Sequence, residues 1–153
     1  MSWKKKALLT LLIVFIAIQF IQPAHNKNGQ VLPTDIVKMY NVPLNVQPVL
    51  KTSCYDCHSN NTHYPWYFNI QPLGWMLNSH VRDGKENLNF SNFGSYSERK
   101  RKNKFRAIAK SINEGSMPLW QYTMIHKNAR LTTETKALII NWSEKIKDSL
   151  STK

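Results

Sequence analysis

Both cysteines of this 153-residue chain fall within one pentapeptide, Cys54-Tyr55-Asp56-Cys57-His58. That concentration constrains the fold more than any other feature. Two thiols three positions apart stand on one helical turn, where each can add to a vinyl group on the same porphyrin edge. The adjacent His58 can then point its imidazole at the iron from below. C-x-x-C-H is the attachment signature of c-type haem, so the motif implies one haem c, bound covalently at Cys54 and Cys57, with His58 as proximal iron ligand. Two other chemistries use C-x-x-C. A structural zinc wants four ligands, and without a second cysteine pair the chain would have to recruit from His58, His63, His80 or His126. A thioredoxin-type pair should open a helix after a β-strand, and no such α/β pattern surrounds this one. A disulfide across so short a loop would constrain little.

The N-terminus bears on compartment. Met1-Ser2-Trp3-Lys4-Lys5-Lys6 is followed by an apolar run from Ala7 to Ile21, interrupted only by Thr10 and Gln19. A basic start before such a run is an export signal. Haem c is attached outside the bacterial inner membrane, so the leader and the motif agree. Gln22-Pro23-Ala24-His25-Asn26 makes a poor cleavage site. We therefore expect residues 1–22 to stay as an anchor in the inner membrane, lysines inside and domain in the periplasm. The run is short against the roughly 20 residues a bilayer core asks for, which Trp3 at the interface and local thinning would accommodate. A cleaved, soluble periplasmic protein is the alternative. Residues 23–33 read as a polar linker, and residues 34–153 as one haem-binding domain.

Charge narrows the partners. Lys and Arg total 21 against 9 Asp and Glu; without the three leader lysines, 18 bases face 9 acids, a net of +9. Much of it lies between Glu98 and Arg106. Nucleic acid is excluded by the expected compartment, so the run reads as a solvated helix face, with steering toward an acidic redox partner or anionic headgroups as the functional alternative.

No alternating strand pattern and no internal repeat appear, and the domain reads as all-α, helices packed around the cofactor. Short segments are expected over Thr34–Tyr40 and Pro43–Lys51, then a loop from Ser59 to Pro65. An apolar, aromatic stretch runs from Trp66 to Arg82, with Pro72 opening a helix and Asp83-Gly84 ending it. Leu88 to Gly94 looks irregular. From Ser97 to Glu114, Phe105, Ile108, Ala109 and Ile112 mark one helical face, and Gly115 terminates it. A loop from Ser116 to Trp120 and a segment from Gln121 to Arg130 precede a last helix, capped by Thr132 and running to Lys147.

The sixth iron position decides the function. Met117-Pro118 supplies the first candidate: a methionine in a polar loop, held extended by the following proline, can offer its thioether to iron. His80, near the end of a predicted helix, is the alternative distal ligand; Met124 and His126 come third. His63 lies too close to the proximal turn to reach the opposite face, and His25 sits in the linker without an expected role. Trp66, Trp75, Trp120 and Tyr64 are expected to wall the crevice or simply to fill the core.

Cys54-x-x-Cys57-His58-Ser59-Asn60, Thr62-x-Tyr64-Pro65-Trp66-Tyr67, Gln71-Pro72-x-Gly74-Trp75, His80-Val81-x-x-Gly84, Leu88-Asn89-Phe90-Ser91, Met117-Pro118 and His126-x-x-Ala129-x-Leu131 together resemble a bacterial haem-binding domain family, often labelled cytochrome c-like. The resemblance covers roughly Pro33 to Ile146 and implies one covalent haem at Cys54, Cys57 and His58. Family members generally carry an N-terminal apolar segment. The chain departs from a full capping box at Thr132-Thr133-Glu134-Thr135, which leaves the haem site untouched.

Three functions follow. The first is a membrane-tethered periplasmic electron carrier with one haem, not an enzyme: the sequence holds no Ser/His/Asp series, no paired carboxylates in an apolar setting and no phosphate-binding glycine loop. The second is a haem sensor or small peroxidase with an open distal site. The third is a zinc-stabilised interaction module.

Overall fold

A computed structural model describes residues 2–151, and the regular elements among them are all helical. They run α1 (Trp3–Ile18), α2 (Ile36–Met39), α3 (Gln47–Ser53), α4 (Tyr55–His58), α5 (Leu73–Asn87), α6 (Glu98–Asn113), α7 (Trp120–Ile125) and α8 (Thr133–Ser149). Short 3₁₀ turns cover Trp66–Asn69, Phe93–Ser95 and Lys127–Ala129. The extended backbone is confined to one isolated bridge, Lys27 to Asn61.

The ends of the long helices follow from their residues. The Ser97 hydroxyl accepts the Lys100 N–H and Gly115 takes φ +70° just past α6, a conformation that glycine adopts without a Cβ penalty. Thr132 caps α8 by accepting the Thr135 N–H. The amphipathic face read from Phe105, Ile108, Ala109 and Ile112 is buried, and it packs against Ile139 and Trp142 of α8.

Two apolar clusters result. The larger joins α6 and α8 to Ile36, Val46, Leu50, Phe90 and Phe93. The irregular look of residues 88–94 therefore conceals core, because Phe90 and Phe93 are shut away from solvent with only the short 3₁₀ turn at Phe93 beside them. The smaller cluster holds Tyr67 and Phe68 of the first 3₁₀ turn against Leu77 and Val81 of α5.

One helix boundary differs from expectation. Asp83-Gly84 does not end α5, which continues to Asn87. Gly84 is there for contact: a Cβ at this position would lie 2.6 Å from the Cys57 carbonyl oxygen.

The apolar N-terminal run forms α1, none of whose residues is buried. Sixteen residues extend about 24 Å at 1.5 Å per residue. No helix among the described residues is long and apolar enough to cross a membrane. Its C-terminal end is nonetheless fastened to the domain. Gln19 donates to the Gln71 carbonyl at 3.1 Å and accepts the Gln71 N–H at 2.9 Å. Gln22 donates to the Asn69 carbonyl and accepts from the Gln71 side chain, while Trp75 Nε1 donates to the Ile21 carbonyl at 2.8 Å. Gln71 is wholly buried under this clamp.

Residues 23–33 lie along the loop that follows α4. The Asn26 side chain donates to the Ser59 carbonyl and the Thr62 hydroxyl, and its N–H donates to the Tyr64 hydroxyl. His25, given no role from sequence, packs edge-on against Tyr64 and Phe68.

Candidate functional site

Cys54, Cys57 and His58 share one turn. The Cys57 and His58 N–H groups both donate to the Cys54 carbonyl, at 3.2 and 3.0 Å. Both cysteines are free and partly buried. They look in different directions: Cys54 packs on the larger apolar cluster and Cys57 on the smaller, so the thiol pair marks the seam between them. Burial pushes the Cys54 thiol up to about 12, with the Cys57 charge adding to it, and the Cys57 thiol up to about 11, with the Asp56 charge adding to it. Reactive redox cysteines carry lowered values, so this pair lacks the thiolate character of a thioredoxin-type site. Among the described residues no group of three or more His, Cys, Asp and Glu side chains is disposed to hold a metal ion, as a zinc module would need.

His58 is held with one nitrogen committed. Its Nδ1 lies 3.0 Å from the Gly84 carbonyl oxygen and 3.0 Å from that of Leu88. Carbonyls only accept, so Nδ1 must carry the proton and Nε2 keeps its lone pair. Burial lowers the His58 pKa below its ordinary value, against the opposite pull of these two hydrogen bonds, and favours the neutral ring. A neutral imidazole fixed at Nδ1 is the form in which histidine ligates a metal.

The neighbouring strand of chain is tied to this turn. The Phe90 N–H donates to the His58 carbonyl at 2.7 Å, and the Asn60 N–H donates to the Ser91 hydroxyl. Asn89 Nδ2 donates to Asn60 Oδ1 at 2.8 Å. The Ser59-Asn60 and Leu88-Asn89-Phe90-Ser91 motifs are therefore two halves of one hydrogen-bonded lock behind His58.

Asp56, between the cysteines, organises the other side. Its Oδ1 accepts the His63 N–H and its Oδ2 accepts the Tyr122 hydroxyl at 2.6 Å. The Tyr122 ring stacks on His126, 4.2 Å between centroids, and His126 Nε2 pairs with the Tyr67 hydroxyl at 2.8 Å. Burial and then the bond to Asp56 push the Tyr122 pKa up, so the hydroxyl stays a donor. The backbone of His63 thus helps to place α4 directly, and His126 does so through the Tyr122 ring. These partners were invisible in sequence, since Asp56 and Tyr122 are 66 positions apart. Replacing Tyr122 by phenylalanine should cost about 1–2 kcal/mol, the worth of a hydrogen bond to a partly buried carboxylate, read as a lower denaturant midpoint with unchanged slope.

A cavity of about 1110 Å³ opens beside α4, with Asp35, Lys51, Tyr55, Asp56, Tyr122 and His126 in its wall. Cys54, Cys57 and His58 are not part of that wall.

The two distal candidates lie elsewhere. Met117 is on the loop after α6, 36% exposed, with its N–H donating to the Ser111 carbonyl. His80 sits one turn before Gly84 on α5, partly buried. No hydrogen bond or ring contact joins either side chain to His58 among the described residues.

The residues present fit a haem on chemical grounds: two free thiols on one turn, a neutral imidazole locked at Nδ1, and apolar clusters to either side. Comparison with known families agrees. A family model described as a haem-binding domain matches residues 13–145, most of the chain. No curated protein and no solved structure gives a match.

Proposed function

The chain belongs to the haem-binding domain family, and from that premise we propose that it is a single-haem, c-type electron carrier anchored at the bacterial inner membrane. Cys54 and Cys57 would hold the porphyrin by thioethers and His58 Nε2 would ligate the iron. The observation that carries this reading is the pair of carbonyls, from Gly84 and Leu88, at Nδ1 of His58. Such an outer partner fixes the ring and raises the basicity of the ligating nitrogen. When bound, haem supplies one-electron chemistry. The chain's own part is to orient the imidazole, to surround the attachment turn with apolar side chains and to keep Asp56 bonded away from the thiols.

Met117 is the sixth ligand in this reading and His80 its alternative. The helix α1 is retained, with Lys4, Lys5 and Lys6 inside and the domain in the periplasm. What supports retention is the clamp of Gln19 and Gln22 on residues 69–71, which cleavage would discard. Exposed bases on α6, among them Arg99, Lys100 and Arg106, would steer an acidic redox partner.

Absorption spectra of the matured protein test the assignment. The oxidised form should be low-spin with a methionine-to-iron band, lost in Met117→Ala and kept in His80→Ala. A band that survives Met117→Ala removes that residue. High-spin iron that binds carbon monoxide readily would move the function to a sensor or small peroxidase.

A further inference from the structure

We propose that the domain does not swing on its N-terminal helix but rests on the lipid surface through an apolar collar of Trp66, Ile70, Leu73 and Met76. The inference rests on the tethered reading above and adds to it which face meets the membrane.

The collar is exposed where a soluble domain would be polar. Trp66 is 77% exposed, Met76 47%, Leu73 43% and Ile70 37%. No charged residue occurs between Tyr64 and Ser79, in a chain with 30 of them. The clamp sets this stretch beside the end of α1, since Asn69, Gln71 and Trp75 are the residues bonded to Gln22, Gln19 and Ile21. Phe20 and Ile21, at the same end, are also exposed.

Three observations make lipid the occupant. The helix joined to the collar is apolar on every side and buries nothing within the chain, a composition that belongs in protein or in bilayer. Its opposite end carries the lysines that stay on the inner side. Its apolar part falls short: Ala7 to Ile18 extends about 18 Å, lengthened by a few ångströms where the Gln19, Phe20 and Ile21 N–H groups bond three residues back, against about 30 Å of hydrocarbon. A short span draws whatever is fixed to its end toward the bilayer, and tryptophan concentrates at that boundary. The attachment turn then has a set place, since Gly84, against which Cys57 packs, lies about 16 Å along α5 from Leu73.

The test uses the full matured chain in phosphatidylcholine–phosphatidylglycerol vesicles, with and without bromine near the headgroup end of the acyl chains. Subtracting the emission of Trp66→Phe isolates Trp66, and the ratio between the two lipids cancels quenching by haem. Trp66 should be dimmer in brominated than in plain lipid, because the boundary at which tryptophan concentrates brings it against the bromines. A Leu73→Asp/Met76→Asp chain should still float with the vesicles and recover most of that emission. Flotation with Trp66 unquenched overturns the docking alone, and means that the collar faces water or a protein. A chain that fails to float overturns the tether and the docking with it.

Discussion

A Cys54→Ala/Cys57→Ala chain, made in a host that matures haem c, is expected to carry no haem after denaturation, whereas the parent chain should stain strongly. The expectation follows from the thiols being the two cysteines of the sequence and sharing one turn. Each single variant should retain one thioether and stain weakly. His58→Ala should differ in kind: the thiols remain, but no imidazole stands at the iron, so the absorption spectrum shifts to high spin while staining persists in part. Staining of the double variant equal to the parent would sink the covalent assignment.

Gly84→Ala should be damaging despite its small size, because Gly84 is where α5 meets the turn of Cys57. Within a helix the change ordinarily gains up to about 1 kcal/mol, because alanine loses less entropy than glycine. Here the new methyl would stand 2.6 Å from the Cys57 carbonyl oxygen, 3.2 Å from its carbon and 3.3 Å from its Cβ. Two of those atoms are backbone, so α4 and α5 must move apart. Overpacking of this kind costs about 1–3 kcal/mol, which outweighs the propensity gain. The Gly84 carbonyl also holds His58 Nδ1, so the displacement should weaken the imidazole's grip together with the fold. Thermal unfolding should show a midpoint several degrees lower, by the usual scaling of stability with temperature for a domain of this size. Glu86→Ala, on the exposed side of the same helix, should leave the midpoint unchanged. An unchanged midpoint for Gly84→Ala would mean that the helices can part without loss.

Much of this architecture is legible from residue order alone, and the rest fails for identifiable reasons. The long helices α6 and α8 announce themselves because their apolar faces repeat and their caps are local. The C-x-x-C-H motif is local too. Gly84 misled for a physical reason: glycine after aspartate signals a helix end, yet here it serves a contact with a turn 27 positions earlier. Phe90 and Phe93 show the same limit, since a core residue on an irregular segment has no period to betray it. The ties from Asp56 to Tyr122 and from Tyr67 to His126 join single residues across about 60 positions, and each alone looks like an ordinary polar surface residue. The clamp of three glutamines on the end of α1 was likewise hidden. Uncharged amides carry no sign, so nothing in the order of residues pairs them.

The bonds from Phe90 to the His58 carbonyl and from His58 to Leu88 and Gly84 close the chain on itself over about thirty residues. Such a ring loses its freedom once, when it closes, and longer excursions elsewhere add little to that cost. The lock on the His58 ring is in this sense a self-contained cassette. Lengthening a segment outside it, such as the Ser116–Leu119 crossing, should leave the imidazole in place, whereas an insertion inside it should loosen the hold on the ring directly.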